Sequence, residues 1–213
     1  MIKKFIVVAG NIGVGKSSLV ERLSANLGWA PVMEPESQNP YLADFYQDMA
    51  AWGFHSQIFF LTHRLRLHQE YQARPESVMM DRSIYEDAEI FAYNLFQQKC
   101  LNDRDYQTYH ALYRSVVDLL QPPDLVIYLR ATVPTLLERI NRRGRQYEAN
   151  FDSDYLTRLN GLYERWISSF TLCPVLIVPA DRLDFVSRPE HLATITGRVL
   201  DKLAGKDEVH FDD

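Results

Sequence analysis

Cysteine is nearly absent. The chain holds two, Cys100 and Cys173, far apart, with no Cys-x-x-Cys pair. That spacing excludes a disulfide-stapled secreted scaffold and a thiolate zinc site, and it fits reduced core thiols in a cytoplasmic protein. A basic surplus is missing too: 23 Lys and Arg stand against 28 Asp and Glu, for a net charge of −5. A nucleic-acid binder would present a basic face, so no nucleic-acid partner is expected. No apolar run approaches the ~18 residues that cross a membrane, so no membrane role is expected either. Lys3-Lys4 before Phe5–Ala9 imitates the start of a signal peptide, but the run ends at Gly10. Repeats and low-complexity tracts are lacking. At 213 residues and 46% hydrophobic, the chain has the size and core of one domain. The expectation is a domain over 1–205 and a fraying acidic tail at 206–213.

Against these absences stands Gly10-Asn11-Ile12-Gly13-Val14-Gly15-Lys16-Ser17, followed by Ser18. It fits the pattern Gly, four residues, Gly-Lys-Ser/Thr without a mismatch. It lies between an apolar run and the helical segment from Ser18, the strand–loop–helix setting of a phosphate-binding P-loop. Glycines let the backbone close around phosphate oxygens, and the first helical turn aims unpaired N–H groups at the anion. Lys16 is expected to reach the β- and γ-phosphates of ATP, with the Ser17 hydroxyl on Mg²⁺.

Short apolar runs recur at 4–9, 30–33, 78–80, 125–129 and 175–178. Lacking polar alternation, they read as parallel strands covered on both faces. Strands alternating with helices predict an α/β three-layer fold around a five-stranded parallel sheet. Helices are expected over 41–72, with Gly53 as a candidate interruption, from the Ser83–Glu86 capping box toward Lys99, and from Asp103 up to Pro122-Pro123. Others are expected from Thr132 through Arg143, over 153–170, and from a second capping box at Ser187–Glu190.

Ligands of parallel sheets gather at the carboxyl ends of the strands. Glu34 follows the second run, where a carboxylate can accept a proton from an attacking hydroxyl; a plain surface charge is the alternative. Asp81-Arg82 ends the third run. Asp81 is expected beside Mg²⁺ and Arg82 on the transferring phosphoryl group, unless the two form a simple salt bridge. Arg139, Arg142, Arg143 and Arg145 crowd one stretch of a net acidic chain, which suggests a lid at about 139–150 that clamps a polyphosphate. Tyr46, Gln57 and Arg64 fall at intervals close to whole helical turns, and Asp87 and Phe91 are four apart. Together they offer an amide, a guanidinium, a carboxylate and two aromatics, an inventory able to hold a nucleobase. An amphipathic pair with a structural Arg64–Asp87 bridge is the competing reading.

Taken together, Gly10–Ser18, Glu34-Pro35-Glu36 with Asn39-Pro40-Tyr41, Phe54–Arg64, Asp81–Asp87 and Arg139–Glu148 resemble the deoxyribonucleoside kinases. The resemblance runs from Phe5 to about Phe185 and is greatest to the bacterial deoxyadenosine and deoxyguanosine kinases, which share the Asn39-Pro40-Tyr41 run. It implies transfer of the ATP γ-phosphoryl to the 5′-hydroxyl of a deoxyribonucleoside in deoxynucleotide salvage. It assigns Glu34 as the base, Arg82 to the 5′-oxygen, Gln57 and Phe91 to the nucleobase, and Tyr46 with Glu148 to the 3′-hydroxyl. Arg139, Arg143 and Arg145 become lid arginines, and Asp184-Phe185 borders the ATP adenine. The charged Arg64 and Asp87 imply a base carrying an exocyclic amine or a purine carbonyl, and the shared Asn39-Pro40-Tyr41 run points to deoxyadenosine or deoxyguanosine, with deoxycytidine also open. A homodimer is implied as well. Two rival readings are a nucleoside monophosphate kinase, whose phosphate acceptor needs no base at Glu34, and a kinase-like subunit kept for binding alone.

Overall fold

A computed structural model describes residues 2–33, 38–145, 148 and 151–205. Glu34 and the tail from 206 onward lie outside the described residues.

Five strands form one parallel sheet: β1 (Phe5–Gly10), β2 (Ala30–Val32), β3 (Val78–Asp81), β4 (Leu125–Arg130) and β5 (Val175–Pro179). Their spatial order is β2-β3-β1-β4-β5. The central strand β1 pairs Val8 with Asp81 on one side and with Ile127 on the other. Ile6, Val7, Val8 and Ala9 are all buried, which explains the unbroken apolar run: both faces of the strand are covered. Because every strand points the same way, the loops after β1, β3, β4 and β5 open on one edge.

Helices α1 (Lys16–Leu27) and α9 (Pro189–Leu203) pack on each other and on the sheet. The second helical layer comprises α2 (Leu42–Gln47), α3 (Met49–Gln72), α4 (Ile84–Glu86), α5 (Tyr93–Gln97), α6 (Asp103–Val117), α7 (Val133–Arg143) and α8 (Ser153–Ser169). Stacked Tyr128 and Tyr163 rings, 5.8 Å apart, join α8 to β4. Among the described residues, no helix is long and apolar enough to cross a membrane.

Four helix boundaries differ from the sequence reading. The helix expected over 41–72 breaks at Asp48, whose φ of −143° is not helical and whose carboxylate accepts from Ala50 N and Ala51 N. Gly53 stays helical because it is buried against Leu95 and Leu101. Asn102, not Asp103, caps α6, through a bond from Asp105 N of 2.9 Å. The box at 187–190 does not form: Arg188 is the capping residue of α9, and Ser187 N donates instead to Asp184. The Ser83–Glu86 box does form, but the following segment Asp87–Ala92 is a π-helical turn between α4 and α5. Such turns frequently mark functional sites.

Candidate active site

The open edge of the sheet holds a cavity of about 710 Å³, the size range of small-ligand sites. Its phosphate end is built by the loop between β1 and α1. No side chain caps α1, and its first turn carries no acidic residue, so its N–H groups and positive dipole end stay available to an anion. Gly13 cannot be replaced without strain: its φ is +82°, and an added Cβ would sit 2.7 Å from Ile140 Cγ1. The loop rests directly on α7. Asn11 fastens it to α8 by bonds to Leu156 O (3.0 Å) and Asn160 Oδ1 (2.8 Å).

Ile12, Gly13, Gly15, Lys16, Ser17 and Ser18 line the cavity, while Gly10, Asn11 and Val14 form the back of the loop. Lys16 Nζ donates to Gly10 O (3.0 Å) and Asn11 O (3.1 Å). Ser17 Oγ donates to Asp81 Oδ2 at 2.6 Å. A hydroxyl and a carboxylate brought together beside a phosphate loop are hard oxygen donors, which fits Mg²⁺. No cluster of three or more His, Cys, Asp or Glu is present among the described residues; two protein oxygens are a usual holding for magnesium, which keeps water and substrate phosphates as its other partners.

Arg82 follows β3 with a φ of +69°, a region that costs a non-glycine residue about 1–3 kcal/mol and marks functional positions. Its guanidinium lies over the Phe91 ring at 4.4 Å and donates to Tyr163 OH at 2.9 Å. Tyr163 OH donates in turn to Glu86 Oε1 at 2.8 Å. Glu86 also accepts from Gly10 N (3.3 Å), Ser83 N (2.8 Å) and Ser83 Oγ (3.1 Å). Burial pushes the Glu86 carboxyl up, against the opposing pull of Arg82, Lys16, the Tyr163 hydroxyl and Arg64.

At the far end, Tyr46 on α2, Gln57 and Phe60 on α3, and Asp87 and Phe91 on the π turn face the same cavity. The wide turn keeps Asp87 and Phe91 on one side. The Gln57 Oε1 atom is buried and has no hydrogen-bond partner among the described residues. A buried amide terminus left unmatched is costly unless a ligand supplies the partner. Arg64 does not line the cavity. It lies behind Asp87, 1% exposed, and grips its carboxylate at 2.6 and 3.2 Å. The structural-bridge alternative therefore describes Arg64, whereas Asp87 does both: it holds the arginine and faces the cavity.

The arginine cluster is divided. Arg139 donates to Val14 O and Ala180 O, both at 2.8 Å, so its guanidinium ties the phosphate loop to the end of β5. Arg143 forms a fork on Glu148, with Nε–Oε2 at 3.1 Å and a second contact from Nη2 to Oε1. Arg145 Nη1 lies 3.6 Å from the same carboxylate. Gly144, with φ +70°, ends α7 in the left-handed conformation and turns the chain so that both arginines meet Glu148. Arg139, Arg142 and Arg143 thus stand on α7 itself. Of the proposed lid, residues 146, 147, 149 and 150 lie outside the described residues. Phe185 packs over Gly15 and, with Asp184, walls the outer side of the phosphate loop. Asp181, despite partial desolvation, has its carboxyl held below the usual range by Thr135, the Thr132 N–H and hydroxyl, and Arg139.

Sequence reasoning missed Glu86 and Tyr163 as parts of the site. Glu86 showed only as a capping residue, and Tyr163 only as one member of an amphipathic helix face. It also missed Tyr155, a cavity-lining phenol pushed up to about 12 by burial. None carried a local signal, since each is placed by tertiary packing.

Residues 6–204 match the model of a family described as deoxynucleoside kinase. The chain is 36% identical over 196 residues to a deoxyadenosine/deoxycytidine kinase of Bacillus subtilis, covering 91% of this chain and 90% of that one. It is 32% identical over 203 residues to a deoxyguanosine kinase of the same organism, covering 92% and 95%. A solved deoxyadenosine kinase from M. mycoides with bound dATP superimposes with a TM-score of 0.81 at 30% identity, covering 92% of this chain and 99% of that one.

Proposed function

The chain belongs to the deoxynucleoside kinases, ATP-dependent phosphotransferases, and on that premise we propose that its acceptor is the 5′-hydroxyl of deoxyadenosine or deoxyguanosine, with deoxycytidine the third candidate. The observation that carries the reading is the buried Gln57 Oε1, which has no hydrogen-bond partner among the described residues, in a side chain that lines the cavity with Phe91. An amide places a donor NH₂ and an acceptor oxygen side by side, a pair that a base edge with a ring nitrogen and an exocyclic group can match. Phe91 supplies the stacking face.

In this reading the phosphates of ATP rest on the α1 N-terminus, with the adenine against Asp184 and Phe185. Ser17 and Asp81 hold Mg²⁺, which neutralises charge on the phosphates. Lys16 leaves the loop carbonyls it now occupies and moves to the phosphate oxygens. Arg82 holds the acceptor oxygen and the charge of the group in transfer, with Arg143 and Arg145 closing from α7 and the turn after it. Tyr46 and Glu148 hold the 3′-hydroxyl. Glu34, two residues beyond the end of β2, takes the proton from the 5′-hydroxyl as the new P–O bond forms. Chemistry of this kind is mostly positioning and electrostatics, with no covalent enzyme intermediate. A homodimer through exposed Leu112 and Leu119, on and beside α6, is part of the same reading and is checked by sedimentation.

A panel tests it: four deoxynucleosides and deoxyadenosine monophosphate, each with Mg²⁺ and ATP, read by chromatography of the products. Purine deoxynucleosides are expected to give monophosphates fastest. Turnover of the monophosphate alone would support a monophosphate kinase, and no acceptor-dependent ATP loss would support a binding subunit.

A further inference from the structure

We propose that Glu86 and Tyr163 are positioning residues for phosphoryl transfer, which together hold Arg82 and the first amide of the phosphate loop in one fixed arrangement. The inference rests on the proposed role of Arg82.

Both side chains are fully buried, at 0% exposure, and neither lines the cavity. Any effect they have on the reaction therefore passes through a neighbour. Arg82 Nη1 is 3.8 Å from Glu86 Oε1, yet the two are joined through the Tyr163 hydroxyl, which accepts from the arginine and donates to the glutamate. The hydroxyl thus bridges the two charges and fixes the guanidinium beside the glutamate, in addition to their direct ion pair at 3.8 Å. The glutamate has its own frame. Oε1 takes Tyr163 OH and Gly10 N, while Oε2 takes Ser83 N and Ser83 Oγ. Four donors fill a carboxylate's acceptor sites, which makes it rigid.

These contacts tie three places that the chemistry must keep in register. They are the end of β1 where the phosphate loop starts, the strained Arg82 after β3, and α8. Tyr163 is itself fixed by its stack on Tyr128 and by the edge of Trp166. A well-packed apolar cluster would be at least as stable as a buried carboxylate. Its presence four residues on from Arg82 is explained by the arrangement it enforces.

The test is a cycle of Tyr163→Phe, Arg82→Lys and the double variant, each assayed with deoxyadenosine and Mg²⁺–ATP alongside the wild type, with Glu86→Gln as an independent second disruption. Tyr163→Phe is expected to lower kcat ~10- to 100-fold, the size of one lost bond to a charged group. KM for both substrates should stay within about threefold of wild type, since the bond serves the group in transfer rather than ground-state binding. If the hydroxyl acts through Arg82, adding Tyr163→Phe to Arg82→Lys should slow it no further than about threefold. Glu86→Gln should also lower kcat, because its NH₂ would face donors. A Tyr163→Phe kcat within about threefold of wild type, or losses that multiply in the double variant, overturns the proposal. A readout free of turnover runs beside it: the Arg82 Nε–H resonance of the unliganded protein should lose order in Tyr163→Phe, and unchanged order also overturns the proposal. A wild type that phosphorylates no deoxynucleoside contradicts the proposed function alone, and the arginine resonance then decides the positioning.

Discussion

Replacing Arg64 by Met removes a cation from behind the nucleobase end of the cavity while keeping an unbranched stem. The Arg64 and Asp87 side chains are 1% and 3% exposed, with Nε–Oδ2 at 2.6 Å, and Arg64 Nη1 adds a bond to Asp81 O at 3.3 Å. Breaking one side of a buried pair leaves a charge in a poor solvent and costs about 3–5 kcal/mol, which for a domain of this size lowers Tm by ~6–20 °C. Removing both charges is different. In Arg64→Met/Asp87→Leu no charge is stranded, and stability should return to within about 2 kcal/mol of wild type. Urea unfolding followed by circular dichroism measures both variants. Activity should fall in each, because Asp87 faces the cavity and Arg64 orients it. A single variant that loses less than about 1 kcal/mol, or a double variant no more stable than the single, refutes the reasoning that this is a buried ion pair whose halves depend on each other.

Four further outcomes follow from the geometry. Glu34→Ala should lower kcat ~10²- to 10⁴-fold with nucleoside binding nearly unchanged, by steady-state kinetics and calorimetry; near-normal turnover removes Glu34 as the base. Gln57→Ala should raise KM for the nucleoside ~10- to 100-fold and leave KM for ATP alone. Gly13→Ala should destabilise the protein by about 1–3 kcal/mol and weaken ATP binding, given its φ of +82° and the Ile140 contact. His68 Nε2 donates to Gln121 O at 3.0 Å and has its pKa lowered below 6.5 by burial, against the pull of that carbonyl. The unfolded chain then binds the extra proton first, so stability should drop as pH falls through 6.5 and level off below the folded value. His68→Gln should flatten that slope in urea midpoints taken from pH 7.5 downward.

The sheet was legible because its strands carry one signal throughout: short apolar runs such as Phe5–Ala9, which ends at Gly10, and Leu125–Leu129, which ends at Arg130. The phosphate loop was legible because its glycines and Lys16 are adjacent in the chain, so local spacing defines the chemistry. Helix ends were less so. Asp48 breaks a helix that Gly53 does not, because packing against Leu95 and Leu101 stabilises the glycine while the Asp48 side chain caps the next helix. The nucleobase end was half legible. Tyr46, Gln57 and Arg64 were placed on one face of one helix, but they stand on two helices and Arg64 turns behind Asp87. The Glu86–Tyr163–Arg82 chain was not legible at all, since Glu86 and Tyr163 meet only when α8 folds across β4.

The most direct test of the account uses ATP labelled with ¹⁸O on its γ-phosphoryl group, incubated with Mg²⁺, deoxyadenosine and the enzyme, with mass spectrometry of the products. The account predicts deoxyadenosine 5′-monophosphate carrying three labelled oxygens, with one unlabelled oxygen from the sugar hydroxyl. Label appearing only in free phosphate, or only in a diphosphate made from added monophosphate, would contradict it.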